Sequence, residues 1–204
     1  MCKSEPKKTV TGVYGGSYNP IHLGHTSMAS AIVAQGLVDE MWLVVSPQNP
    51  LKDGGLWDDA FRLELARIAV RDIESVEVSD VEFGLPKPNY MVRTLATLSS
   101  RFPDREFVLV IGQDNWECFH RWYKWEEILQ SYPIIIYRRP GYELGTTGEA
   151  FKSAKSITIA DTPLYDISST QIRQAIRQGQ TPSEWLAPNV AEYIKERGLY
   201  LLNL

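Results

Sequence analysis

Cysteine is scarce in this chain, with only Cys2 and Cys118 among 204 residues. Two cysteines cannot build a disulfide framework, and neither sits in a metal-ligand spacing. A reducing, cytoplasmic setting is therefore expected. Long apolar runs are also missing. No stretch approaches the roughly 20 residues that span a bilayer, and the opening MCKSEPKKTV has no apolar core of signal-peptide length. Basic excess is absent too. A net charge of -4 argues against a general nucleic-acid surface, so neither a nucleic acid nor a membrane is expected as a partner. A polyanionic small ligand stays compatible, because a local cationic cluster can form in an acidic protein.

What remains is an ordinary globular composition. Hydrophobic residues at 44% and charged residues at 23% suit a folded domain with a sizeable core, and residues 1–204 read as one domain. No repeat or low-complexity tract interrupts it, and no coiled-coil repeat marks an interface, so a homo-oligomer stays open. Short β-branched runs alternate with longer helical patterns, the mark of a parallel sheet with crossover helices. The strands are read at Val10–Tyr14, MWLVVS, VEVSDVEF, FVLVIG, PIIIYRR and SITIA, the last near an edge. Helices are read from about His25, in WDDAFRLELARIAVRDI with Asp58 and Asp59 in its first turn, and in YMVRTLATLSSRF, KWEEILQS, SSTQIRQAIRQ and PNVAEYIKERG. The class is α/β: a Rossmann-like, doubly wound, mostly parallel sheet with helices on both faces.

Chemistry concentrates in three segments. GGSYNPIHLGH, Gly15–His25, follows the first strand and enters a helix. Gly15 and Gly16 would permit a tight turn and close approach of a ligand to the backbone. The helix N-terminus favours phosphate, and His22 and His25, three apart, can face one side. An isolated H-x-x-H is more often a connector with ordinary histidines. Here two of the chain's three histidines share one strand–turn–helix unit with paired glycines, which favours phosphate contact. No third ligand lies nearby for zinc, so no protein metal site is expected. Neither the Walker pattern nor G-x-G-x-x-G fits the segment.

ISSTQIR, Ile167–Arg173, offers Ser168 or Ser169 as a helix cap and Arg173 as a phosphate clamp. Alone it would read as a capped amphipathic helix with a surface arginine. IGQDNWECFHRWYKWEEIL follows the fourth strand. With strand order 3-2-1-4-5, the ends of strands one and four meet at the topological switch point, where ligands bind. Gly15, Gly16 and His22 would then face Gly112 and Asp114 across one cleft. Asp114 can accept from a ribose hydroxyl or serve as a turn residue. Trp116, Phe119, Trp122, Tyr123 and Trp125 form a dense aromatic group. They can pack in the core, or Trp122 or Tyr123 can present a flat face to a heterocycle.

GGSYNPIHLGH closely resembles the H-x-G-H signature of the nucleotidyltransferase superfamily, and ISSTQIR its I-S-S-T-x-I-R motif. With SPQNPLK, IGQD, FHRWYKWEEIL and YRRPGY added, the chain from Gly12 to Arg173 resembles bacterial nicotinate-nucleotide adenylyltransferase. The resemblance implies transfer of AMP from ATP to nicotinate mononucleotide, releasing pyrophosphate, in NAD biosynthesis. It implies His22, His25 and Arg173 as catalytic groups, and Gly15, Gly16, Ser17, Gly112, Asp114, Ile167, Ser168 and Ser169 beside them on ATP. It implies an acceptor pocket from Lys52, Tyr90, Thr94, Trp122, Tyr123 and Arg139, with Mg2+ accompanying ATP. The sequence departs from the family pattern at Tyr18 and Asn19, where phenylalanine and aspartate are common. It departs again in NYMVRTL, where S-Y-T-x-D-T-L is frequent: Tyr90 and Thr94 match, Met91 and Arg93 do not. Alternatives are a sister enzyme using nicotinamide mononucleotide, phosphopantetheine or a sugar phosphate, and a module that binds ATP without turnover.

Overall fold

The computed structural model describes residues 6–47, 57–138, 154–162 and 165–201. Its strands are β1 Thr9–Gly16, β2 Glu40–Val45, β3 Val76–Ser79, β4 Arg105–Gly112, β5 Ile134–Tyr137 and β6 Ile157–Ala160. They make one sheet in the order β3-β2-β1-β4-β5-β6, with every neighbouring pair parallel. The helices are α1 Leu23–Ala34, α2 Asp59–Val70, α3 Met91–Arg101, α4 Gln113–Glu117, α5 Trp125–Ser131, α6 Ser169–Arg177 and α7 Pro188–Arg197. The sheet is the Rossmann-like one expected, with the SITIA strand at its edge.

Strand side chains alternate between two cores, as the pleat requires. Tyr14, Leu43, Val45, Val110 and Ile135 meet Met28 and Ile32 of α1, Leu65 of α2, Ile172 of α6 and Ile194 of α7. Val13, Trp42, Val44, Leu109, Ile111 and Ile136 meet Leu95 and Leu98 of α3 and Ile128 and Leu129 of α5. Both faces are covered, which is why FVLVIG is apolar without interruption. Among the described residues no helix is long and apolar enough to cross a membrane.

Three local expectations change. β1 runs on through Gly15 and Gly16, which pair with Val44 and Val45 of β2, so neither makes the tight turn. A Cβ on Gly15 would lie 2.5 Å from Met91 Cε, and one on Gly16 would lie 2.8 Å from the Tyr18 ring. Gly16 is held to glycine by the rigid Tyr18 ring, whereas the neighbour of Gly15 is only the movable end of Met91. The chain reverses instead at Tyr18, whose φ of 44° is left-handed. Asp58 precedes α2 as its N-cap, accepting from Ala60 and Phe61 N–H. VEVSDVEF divides into β3 and a 3-10 turn, Val81–Gly84, because Ser79 Oγ accepts from Val81 N–H and bends the chain.

Candidate active site

Because β1 and β4 are parallel neighbours, their carboxyl ends open on the same edge. From β1 the chain enters α1 through the histidine loop, and from β4 through Gly112 into α4. His22 is the N-cap of α1, not a residue of its first turn. His25 Nδ1 accepts the His22 backbone N–H at 3.2 Å. That bond places the neutral ring's hydrogen on Nε2. The His22 and His25 rings lie 3.7 Å apart, tilted by 32°. Tyr18 meets His25 edge-on at 5.1 Å. A side chain on Gly24 would sit 3.1 Å from the His22 ring, so glycine lets that imidazole lie against the helix start.

Beneath the histidines lies a buried tyrosine cluster. The Tyr18 hydroxyl donates to Tyr14 O at 2.6 Å, and the Tyr14 and Tyr137 hydroxyls share a 2.8 Å bond. Burial first, then Tyr137 and Glu82, holds the Tyr18 phenol well above its usual range. It therefore stays a neutral donor.

The second motif reaches the same loop from far along the chain. Ser168 caps α6, its hydroxyl accepting from Gln171 N–H while Gln171 Oε1 accepts the Ser168 N–H in return. Ser169 Oγ donates to Pro20 O at 2.9 Å, and Arg173 Nη1 donates to Asn19 O at 2.7 Å. Ile167 packs on the adjoining core. Burial lowers the Arg173 guanidinium from its ordinary value, with Tyr200 opposing and Arg177 reinforcing the shift. Two helix N-termini, two imidazoles and a guanidinium thus gather around residues 19–25, an arrangement suited to phosphate.

The other predicted residues divide. Gly112 is the N-cap of α4, and Asp114 is in its first turn, just past the carboxyl end of β4. Tyr90 and Tyr123 come together, ring centroids 4.6 Å apart, with Tyr123 exposed at 45%. Trp122 packs on Phe119 at 5.3 Å and is half-buried against the second core. Thr94 is fully buried, and its hydroxyl donates to Glu82 Oε1 at 2.7 Å, so it faces the carboxylate beneath α3 and not an open pocket. Lys52 and Arg139 lie outside the described residues.

The cytidylyltransferase-like family matches residues 13–175. A probable nicotinate-nucleotide adenylyltransferase of Bacteroides thetaiotaomicron is 42% identical over 197 residues, covering 96% of each chain. The chain belongs to this family of nucleotidyltransferases. A probable nicotinate-nucleotide adenylyltransferase of Flavobacterium johnsoniae is 40% identical over 190 residues, 93% of this chain and 97% of that one. Among solved structures, the Plasmodium falciparum nicotinic acid mononucleotide adenylyltransferase complexed with NaAD matches with a TM-score of 0.80. At 19% identity, over 96% of this chain and 98% of that one, it shows the shared fold.

Within this adenylyltransferase fold, sequence reasoning missed Arg62. It is fully buried on α2. Nε donates to Trp57 O at 2.9 Å and Nη1 to Ser46 O at 2.9 Å and to Ser17 O; Nη2 pairs with Asp59. One guanidinium therefore fastens the loop after β1 to the chain leaving β2. A signal existed: Arg62 falls on the same helical face as Leu65, Ala66 and Ala69, and an arginine on a core-facing stripe needs partners.

Proposed function

We propose that this chain transfers AMP from ATP to nicotinate mononucleotide, giving nicotinate adenine dinucleotide and pyrophosphate for NAD biosynthesis in the cytoplasm. The observation that carries the reading is the docking of α6 on the histidine loop through Ser169–Pro20 and Arg173–Asn19. It joins two anion-binding segments about 150 residues apart in sequence at the switch point of the sheet.

In this reading the acceptor phosphate attacks the α-phosphorus of ATP in line with the departing pyrophosphate. One oxygen–phosphorus bond forms as the α–β bridge breaks. The nucleophile is already an anion, so no side-chain base or covalent intermediate is required. Catalysis rests on positioning and on cancelling charge. His22 and His25 donate to triphosphate oxygens, the α6 N-terminus and Arg173 hold the outer phosphates, and Asp114 accepts from ribose. The α1 N-terminus contributes its dipole. Magnesium, arriving with ATP, offsets phosphate charge. Such an ion would be held mainly by phosphate oxygens and water.

The test is purified protein with ATP and magnesium, following pyrophosphate release with each candidate acceptor in turn. Nicotinate mononucleotide should give the highest kcat/KM. Preference for nicotinamide mononucleotide or phosphopantetheine would assign a sister activity. ATP binding by calorimetry with no pyrophosphate from any acceptor would make the chain a nucleotide-binding module.

A further inference from the structure

Arg93 stands where the family pattern often has aspartate, so a cation replaces an anion on α3. Its guanidinium carbon lies 5.2 Å from the Tyr90 ring centroid and 5.8 Å from that of Tyr123. The two rings are tilted against each other by 34°. Arg93 is exposed, and among the described residues no carboxylate pairs with it. The nearby cation Lys124 is engaged by Glu127 at 2.8 Å. Arg93 is thus held by aromatic faces, and among the described residues its fork of N–H donors makes no hydrogen bond.

The position has a direction. Met91 Cε occupies the space over Gly15, near the end of β1 that leads into the histidine loop. Tyr90 and Arg93, three apart on the start of α3, share a different side from Met91. An acceptor whose phosphate reaches the histidine loop would lay its heterocycle along Tyr90 and Tyr123, and the ring's far substituent would come to Arg93.

We infer that Arg93 is a specificity-determining residue that pairs with the carboxylate of the pyridine ring and so selects the acid over its amide. The inference rests on the proposed acceptor. A guanidinium meets a carboxylate with two parallel charge-assisted bonds. A carboxamide offers one oxygen acceptor and an NH2 donor, which would face the guanidinium's own donors.

The experiment compares wild type, Arg93→Gln and Arg93→Lys with nicotinate and nicotinamide mononucleotides at saturating ATP, and ATP at saturating acceptor. Arg93→Gln should raise KM for the nicotinate form roughly 10- to 100-fold, leave KM for ATP unchanged, and narrow the preference for acid over amide. Arg93→Lys should recover part of that preference. Equal losses with both acceptors, or unchanged selectivity in Arg93→Gln, would overturn the inference while leaving the proposed reaction standing. Wild type that ignores both pyridine nucleotides would instead remove the proposed acceptor itself. Thermal midpoints of the variants separate misfolding from altered recognition.

Discussion

At the scale of single residues, the histidine pair and Glu82 make opposite kinds of demand. His22 sits over the start of α1 with its ring 3.7 Å from that of His25 and tilted by 32°; in the proposed reaction a donor there gains most as charge moves onto the leaving group. His22→Ala should therefore lower kcat by roughly 100- to 1,000-fold and weaken ATP binding far less, as read from steady-state kinetics and calorimetry. Unchanged turnover would remove the ring from the chemistry. Glu82 lies buried beneath α3, bonded to Thr94, and burial pushes its carboxyl above the ordinary 4.5, with bonds from Thr94 and Ser46 opposing. The fold thus prefers the neutral form. The stability this contributes is complete below 4.5 and fades as pH rises through the elevated value. Glu82→Gln, neutral throughout, should gain on wild type in urea midpoints as pH rises above about 4.5. A gap that does not grow with pH would mean the carboxylate is adequately solvated or paired.

At the scale of elements, the strand and helix order was legible because each run carried its own period and breakers. The apolar FVLVIG and the acidic start of α2 follow from local chemistry. α4 was not legible: five residues are too few for periodicity to show. Nor could spacing show that Gly15 and Gly16 serve neighbouring side chains, because the clashes they avoid involve Met91, on a distant helix, and the turn residue Tyr18. The site was read as three separate segments, and what the sequence left out was the joinery. Arg62 supplies part of it from α2 to both loops. Replacing it by methionine keeps the stem but strips the donors from the carbonyls of Ser17, Ser46 and Trp57. Unsatisfied buried acceptors of this kind should lower stability by about 3 kcal/mol or more, measured by urea unfolding. Loss below about 1 kcal/mol would show that water replaces the arginine.

At the scale of the whole molecule, the part beyond residue 175, past the family match, is tied into the same loop. Leu23 N–H donates to Trp185 O at 2.9 Å, and Tyr200 is buried against Trp57, ring centroids 5.1 Å apart. Tyr200 occupies a left-handed backbone position, φ 67°. Tyr200→Ala removes a large side chain from the core that carries α1, α2 and α7 and should lower stability by about 3–5 kcal/mol, seen as a reduced urea midpoint with kcat kept under native conditions. The sheet, meanwhile, is longest in the middle: β1 and β4 have eight residues each, β3 and β6 four. A parallel sheet exposes backbone donors and acceptors at its two borders, where another chain can add a strand. Borders only four residues long give an incoming strand few bonds. The taper that places the two chemical strands at the centre therefore also makes the flanks poor templates for fibrous growth.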